Sequence, residues 1–148
     1  MIVVADTSPL NYLIRLGLPE ILLEIYGRVL VPTAVLAEMQ HPEAPDEVRA
    51  WALAPPAWLE EKHVMQIDSG LAAELGAGER EAISLALELK ADVLLIDERA
   101  GRLAAEAKHT GVAGTLAVLL QASLHGHVDF RRRPEAASPM RISYFTGC

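Results

Sequence analysis

Val93-Leu94-Leu95-Ile96-Asp97 is the stretch on which the fold turns: an unbroken apolar run that stops at a carboxylate. A strand with one wet face alternates apolar and polar residues. An uninterrupted run instead signals a strand buried on both faces, as in a parallel sheet with helices on either side. Before it, the spacing from Glu79 to Lys90 predicts a helix entered through Gly76-Ala77-Gly78, which reads as a flexible hinge. After it, Ala100, Leu103, Ala104 and Ala107 repeat at helical spacing. Val112-Ala113 is a minimal strand, and Leu116, Leu119, Leu120 and Leu124 form a last helical stripe with Thr115 as its N-cap.

The N-terminal part repeats this alternation. Ile2 to Ala5 predicts a first strand that ends at Asp6, and Thr7-Ser8-Pro9 suits a helix start. Two short helical stripes follow, broken at Gly17 and Gly27, then a strand at Val29 to Val31. Pro32-Thr33 opens a helix to about Gln40, Asp46 to Leu53 reads as another, and Leu59 to Val64 as an extended segment. Strands alternating with helices imply right-handed crossovers and a three-layer α/β/α domain with a small parallel sheet. There is no internal repeat and no linker, so one domain over residues 1–148 is expected, with 127–148 an irregular tail in which Arg141 to Phe145 suit a late edge strand.

Composition narrows the chemistry. With 148 residues, 51% of them apolar and 22% charged, the chain can bury a core without disulfides or a structural metal. Its single cysteine, Cys148, has no internal partner, which argues against redox and zinc-thiolate chemistry. No run suits a membrane span and Met1 to Pro9 lacks the marks of a secretory signal, so a cytoplasmic protein is expected. The net charge of −7 is unfavourable for gripping phosphates, so any nucleic-acid function must rely on bound cations and local arginines. Gly76-x-Gly78 lacks the third glycine and the preceding strand of a dinucleotide loop, and neither a Walker A nor a His-Glu-x-x-His pattern occurs. His41, His63, His109 and the His125-Gly126-His127 run read as solvated side chains.

What remains is a set of acids. Ligands of open parallel sheets bind beyond the carboxyl ends of the strands, where Asp6 and Asp97 fall, although each could equally cap the helix that follows. Glu79 shares its helix side with Ala82, Ile83 and Ala86 and so points along the core-facing stripe. Glu81 falls with Ser84 and Glu88 and reads as a solvated first-turn acid. Glu38 leaves a helix side shared with Ala34 and Val35. Uncompensated carboxylates in a partly buried place are costly, and a dication removes the cost. An oxygen-only set selects a hard ion, Mg²⁺ or Mn²⁺, whose bound water attacks a phosphodiester without a side-chain nucleophile. Arg99 and Arg102 are candidate phosphate contacts, with a helical Arg102–Glu106 ion pair as the commoner alternative. Arg131 to Arg133 are equally open.

Taken in order, Val4-Ala5-Asp6-Thr7-Ser8-Pro9-Leu10, Val31-Pro32-Thr33-Ala34-Val35-Leu36-Ala37-Glu38, Gly76-Ala77-Gly78-Glu79-Arg80-Glu81-Ala82-Ile83, Leu94-Leu95-Ile96-Asp97-Glu98-Arg99 and Gly111-Val112-Ala113-Gly114-Thr115-Leu116 resemble the PIN-domain family, in particular the VapC-type toxins of toxin-antitoxin pairs. The resemblance spans roughly Ile2 to Gly126. It implies ribonuclease cleavage with Mg²⁺ or Mn²⁺ on Asp6, Glu38, Glu79 and Asp97, with Ser8 and Thr115 as supporting hydroxyls. Because the strand-end acid is doubled, either Asp97 or Glu98 can take the fourth role. The partners implied are an RNA substrate and a cognate antitoxin, and a homodimer is the default assembly. The competing expectation is a catalytically weak or inactive PIN-like module that acts by protein or RNA binding.

Overall fold

A computed structural model describes residues 1–126, so the tail, with His127, Arg131 to Arg133 and the expected edge strand at Arg141 to Phe145, lies outside the described residues. The elements run β1 (Val3–Ala5), α1 (Thr7–Arg15), α2 (Ile21–Tyr26), β2 (Val29–Pro32), α3 (Thr33–Gln40), α4 (Asp46–Leu53), β3 (Leu59–Lys62), α5 (Ala77–Leu89), β4 (Val93–Leu95), α6 (Arg99–Ala107), β5 (Val112–Ala113) and α7 (Thr115–Leu124). All pairings are parallel and the strand order is β3-β2-β1-β4-β5.

That order follows from the chain's path. It leaves β1, builds outward through β2 to β3, then returns through α5 to place β4 on the other side of β1. The reversal lies between β1 and β4, where Val3, Val4 and Ala5 pair with Val93, Leu94 and Leu95. Open sheets bind ligands at such a switch point. The Asp6 amide donates to the Leu95 carbonyl at 2.8 Å, so both strands deliver their last residues to the same rim.

Val3, Val4 and Ala5 are all 0% exposed. Successive strand side chains point to opposite faces, so both faces of β1 are covered and the architecture is three-layered, α/β/α. Leu94, Leu95 and Ile96 repeat this on the neighbouring strand. Ala82, Ile83 and Ala86 of α5 are buried as their spacing requires, and the helix packs on β1, β2 and β4.

Three local expectations need correction. Gly76-Ala77-Gly78 is no hinge: Gly76 is the N-cap of α5, and Ala77 and Gly78 are its first helical residues. The N-cap of α7 is Gly114, with Thr115 inside the helix. The polar side of α5 is also only partly solvated, with Glu88 exposed, Glu81 half-buried and all three polar side chains engaged by other segments. Ser84 is buried and its hydroxyl accepts the Asp68 amide at 2.9 Å, while Glu88 accepts the Gln66 amide at 3.0 Å. Glu81 accepts the Ala34 amide at 3.0 Å. This satisfies one of the open N–H groups in the first turn of α3, where a carboxylate also meets the positive end of the helix dipole. A helix wheel assigns such residues to water because it cannot see which backbone amides other segments leave open.

Candidate functional site

Asp6 stands one residue beyond β1 and is 3% exposed. It occupies the N-cap position of α1, yet its side chain makes no capping hydrogen bond, so capping does not explain it. Burial pushes its carboxyl up from 3.8 to about 7. The Thr7 amide acts in the opposite direction, while the negative charges of Glu79, Glu38 and Asp97 add to the rise. These are the four acids singled out from the sequence, with the charges of the other three acting on Asp6.

The others are held by hydrogen bonds to the protein. Thr7 Oγ1 donates to Glu38 Oε2 at 2.6 Å, bringing the end of α3 to the start of α1. Glu79 sits at the third position of α5 and reaches back to the Gly76 amide at 3.0 Å, the carboxylate half of a capping box. Its other oxygen, Oε2, is buried without a hydrogen-bond partner among the described residues. Two glycines make room for these carboxylates. A Cβ on Gly78 would collide with the Glu38 carboxylate, and one on Gly101 would come within 2.9 Å of Glu79 Oε2.

Asp97 accepts both the Thr115 amide and the Thr115 hydroxyl, each at 2.6 Å. It therefore caps α7, eighteen residues later, rather than α6, whose N-cap is Glu98. This distant pairing explains why Thr115 is not the N-cap: its hydroxyl is turned to Asp97 instead of its own helix. Thr115→Val keeps the amide and removes the hydroxyl from a buried position. The variant is expected to lose about 1.5–3 kcal/mol, the usual worth of a hydrogen bond to a charged group. Urea denaturation measures this, and an unchanged midpoint would show that the hydroxyl holds nothing.

Asp6, Thr7, Ser8, Glu38, Gly76, Glu79 and Glu98 line a hollow of about 220 Å³. Ser8 borders it without a hydrogen bond among the described residues, whereas Thr7 holds Glu38. Thr7 is thus the hydroxyl the sequence reading missed, and its place directly after a strand-end Asp was the available signal. The doubled acid divides its duties: Glu98 is exposed and lines the hollow, while Asp97 is fixed by α7 outside that lining and adds its charge to the rise at Asp6. Arg99 and Arg102 are exposed, and neither forms an ion pair among the described residues, so the Arg102–Glu106 pair suggested by spacing is not made.

Among the described residues no three acids, histidines or cysteines converge as a ready-made metal cage. The donor set nonetheless fits a hard cation in its chemistry. It is all oxygen, no lysine or arginine lines the hollow, Glu79 Oε2 is unpartnered, and Asp6 holds its proton to about pH 7. Among the described residues no helix is long and apolar enough to cross a membrane.

Comparison with known proteins agrees with the fold. No curated protein matches the chain. Among solved structures, a PilT N-terminus domain protein from the hyperthermophilic archaeon Sulfolobus solfataricus P2 is similar, with a TM-score of 0.62 at 16% identity, covering 87% of this chain and 99% of that one. The family described as DUF3368, PIN domain, matches residues 2–136. With a five-stranded parallel sheet whose switch point carries Asp6, and a family match over nearly its whole length, the chain belongs to the PIN-domain family and has its nuclease-like fold.

Proposed function

We propose that the protein is a Mg²⁺- or Mn²⁺-dependent endoribonuclease serving as the toxin of a toxin-antitoxin pair. The observation that carries this reading is Asp6: a buried carboxyl, pushed to about 7, facing the charges of Glu79, Glu38 and Asp97. Such a group is costly to ionise on its own and inexpensive to ionise against a dication.

In this reading Asp6, Glu79 and Asp97 hold the ion and Glu38 completes the acidic set. The lone pairs Asp97 does not use on Thr115 are open to a cation. Asp97 is preferred over Glu98 as the fourth acid because its charge acts on Asp6 and its position is fixed by α7. The bound ion supplies a water of lowered pKa and charge neutralisation at the phosphodiester. Thr7 orients Glu38, Thr115 orients Asp97, and Ser8 borders the hollow. Arg99 and Arg102 offer unpaired cations to substrate phosphates.

Incubation of the full chain with Mn²⁺ and a panel of single-stranded RNA and DNA tests this. Internal cleavage of RNA that stops on adding EDTA is the expected result. Cleavage of DNA alone, or of neither, would overturn it.

A second reading, a weakly active module working through protein contacts, draws on Leu120 and Leu124. Both are exposed, one turn apart on α7. The same face suits an antitoxin or a second copy of the chain, so co-purification with a neighbouring gene product and no Mn²⁺-dependent cleavage would favour it.

A further inference from the structure

A larger hollow, about 660 Å³, opens between α1 and the start of α7. Its walls are chiefly apolar, from Leu16, Leu116, Ala117 and Leu119, with the Tyr12 ring at its edge, 53% exposed. Three polar side chains that matter elsewhere also line it: Asp97, Thr115 and Arg102. Asp97 links this groove to the acidic hollow along the chain, because the next residue, Glu98, lines that hollow. Arg102 is the cation among the lining residues and has no ion pair among the described residues. Gly114 lets Asp97 and Arg102 come close to the backbone. A Cβ there would lie 2.8 Å from Asp97 Oδ1 and 3.6 Å from an Arg102 guanidinium nitrogen.

We propose that this groove is a nucleobase subsite: it takes one unpaired base of an RNA strand, stacked on Tyr12 among the apolar side chains, with Arg102 on an adjoining phosphate. The proposal rests on the ribonuclease reading for its location beside Asp97 and adds what the acids alone cannot supply. Carboxylates and a cation recognise a phosphodiester but give no purchase on the rest of a nucleotide. A base offers a π-face to an aromatic ring and excludes water from apolar walls, and the phosphate next to it calls for a cation at the rim. The groove presents these features together, and its Asp97 directly precedes Glu98 of the acidic hollow. Arg102 is exposed and makes no ion pair among the described residues, so its guanidinium is available to an anionic ligand at the groove. Stacking is tolerant of base identity, so the subsite sets affinity and register on the strand more than sequence choice.

The test measures binding separately from cleavage. Fluorescence anisotropy follows a fluorescein-labelled RNA hexa-adenylate, and the same hexamer with one internal abasic ribose, on the full chain in millimolar Ca²⁺. Tyr12→Ala is expected to weaken the intact hexamer about tenfold, and Tyr12→Phe, which keeps the ring face, to restore it. The abasic hexamer should bind the wild type about tenfold more weakly than the intact one, yet show little further loss on Tyr12→Ala. Arg102→Ala should lower the salt dependence of binding. Equal affinity in wild type and Tyr12→Ala, an abasic penalty unchanged by Tyr12→Ala, or no binding of either hexamer overturns the subsite. So does a Tyr12→Ala variant that loses only self-association or a protein partner. Tyr12-dependent binding without cleavage in Mn²⁺ supports the subsite and removes the nuclease reading, so the two fail separately.

Discussion

Asp6→Asn should abolish Mn²⁺-dependent cleavage and, in the metal-free protein above pH 7, make the fold more stable than wild type. Asn keeps the shape and removes the charge. The unfolded chain releases the Asp6 proton near 3.8 and the folded chain near 7, so between those values the folded state binds more protons. Stability contributed by the group is therefore full below pH 4 and lost as pH rises toward 7. Asp6 is 3% exposed, so solvent screens little of this, and the loss is on the order of 4 kcal/mol. Thermal unfolding in EDTA from pH 4 to 8 should show wild type declining more steeply than Asp6→Asn, with Mn²⁺ raising wild type alone at pH 8. Parallel profiles for the two proteins would mean that Asp6 ionises freely, and the case for a cation there would fall. Retained cleavage by Asp6→Asn would sink its catalytic assignment.

Gly78→Ala is the second large effect. Its backbone is helical and unstrained, so the cost comes from space. The added carbon would lie 2.9 Å from Glu38 Cδ and Oε1, and closer still to Oε2, the oxygen that Thr7 holds. Glu38 must turn away and the Thr7 hydrogen bond must break. The atoms that must move are the far end of a flexible side chain, and Ala favours a helix over Gly, so the net stability loss is no more than about 1 kcal/mol. If Glu38 completes the acidic set, a displacement of roughly an ångström lowers kcat about a hundredfold. Urea denaturation and single-turnover cleavage read the two losses separately. Activity at the wild-type level in a destabilised Gly78→Ala protein would remove Glu38 from the catalytic set.

The sequence was most readable where a pattern has one physical solution. The run at Val93 to Ile96 predicts a covered strand, and Leu94, Leu95 and Ile96 are buried, while Ala82, Ile83 and Ala86 turn one side of α5 inward. From these the parallel, three-layered sheet follows, and the family resemblance agrees with the match over residues 2–136. Long-range hydrogen bonds were not readable. Glu81 looks like a surface acid until Ala34 is beside it, and Thr115 looks like an N-cap until Asp97 takes its hydroxyl. Thr7 was overlooked because its partner, Glu38, lies thirty-one residues away. Periodicity gave the inward side of α5 but not of α6 or α7, where Leu103, Leu116, Leu120 and Leu124 are exposed, and it is silent on which polar atoms meet across elements.

The placement of β4 beside β1 also orders events during synthesis. Val3 waits for Val93, and Asp97 waits for Thr115 on the last described helix. A chain emerging from the ribosome N-terminus first exposes Asp6 long before the strand that walls it in, and so carries none of the assembled acids. Under the proposed ribonuclease reading, a half-made copy that lacks Asp97 and α7 does not yet hold the complete set of acids beside the message being translated.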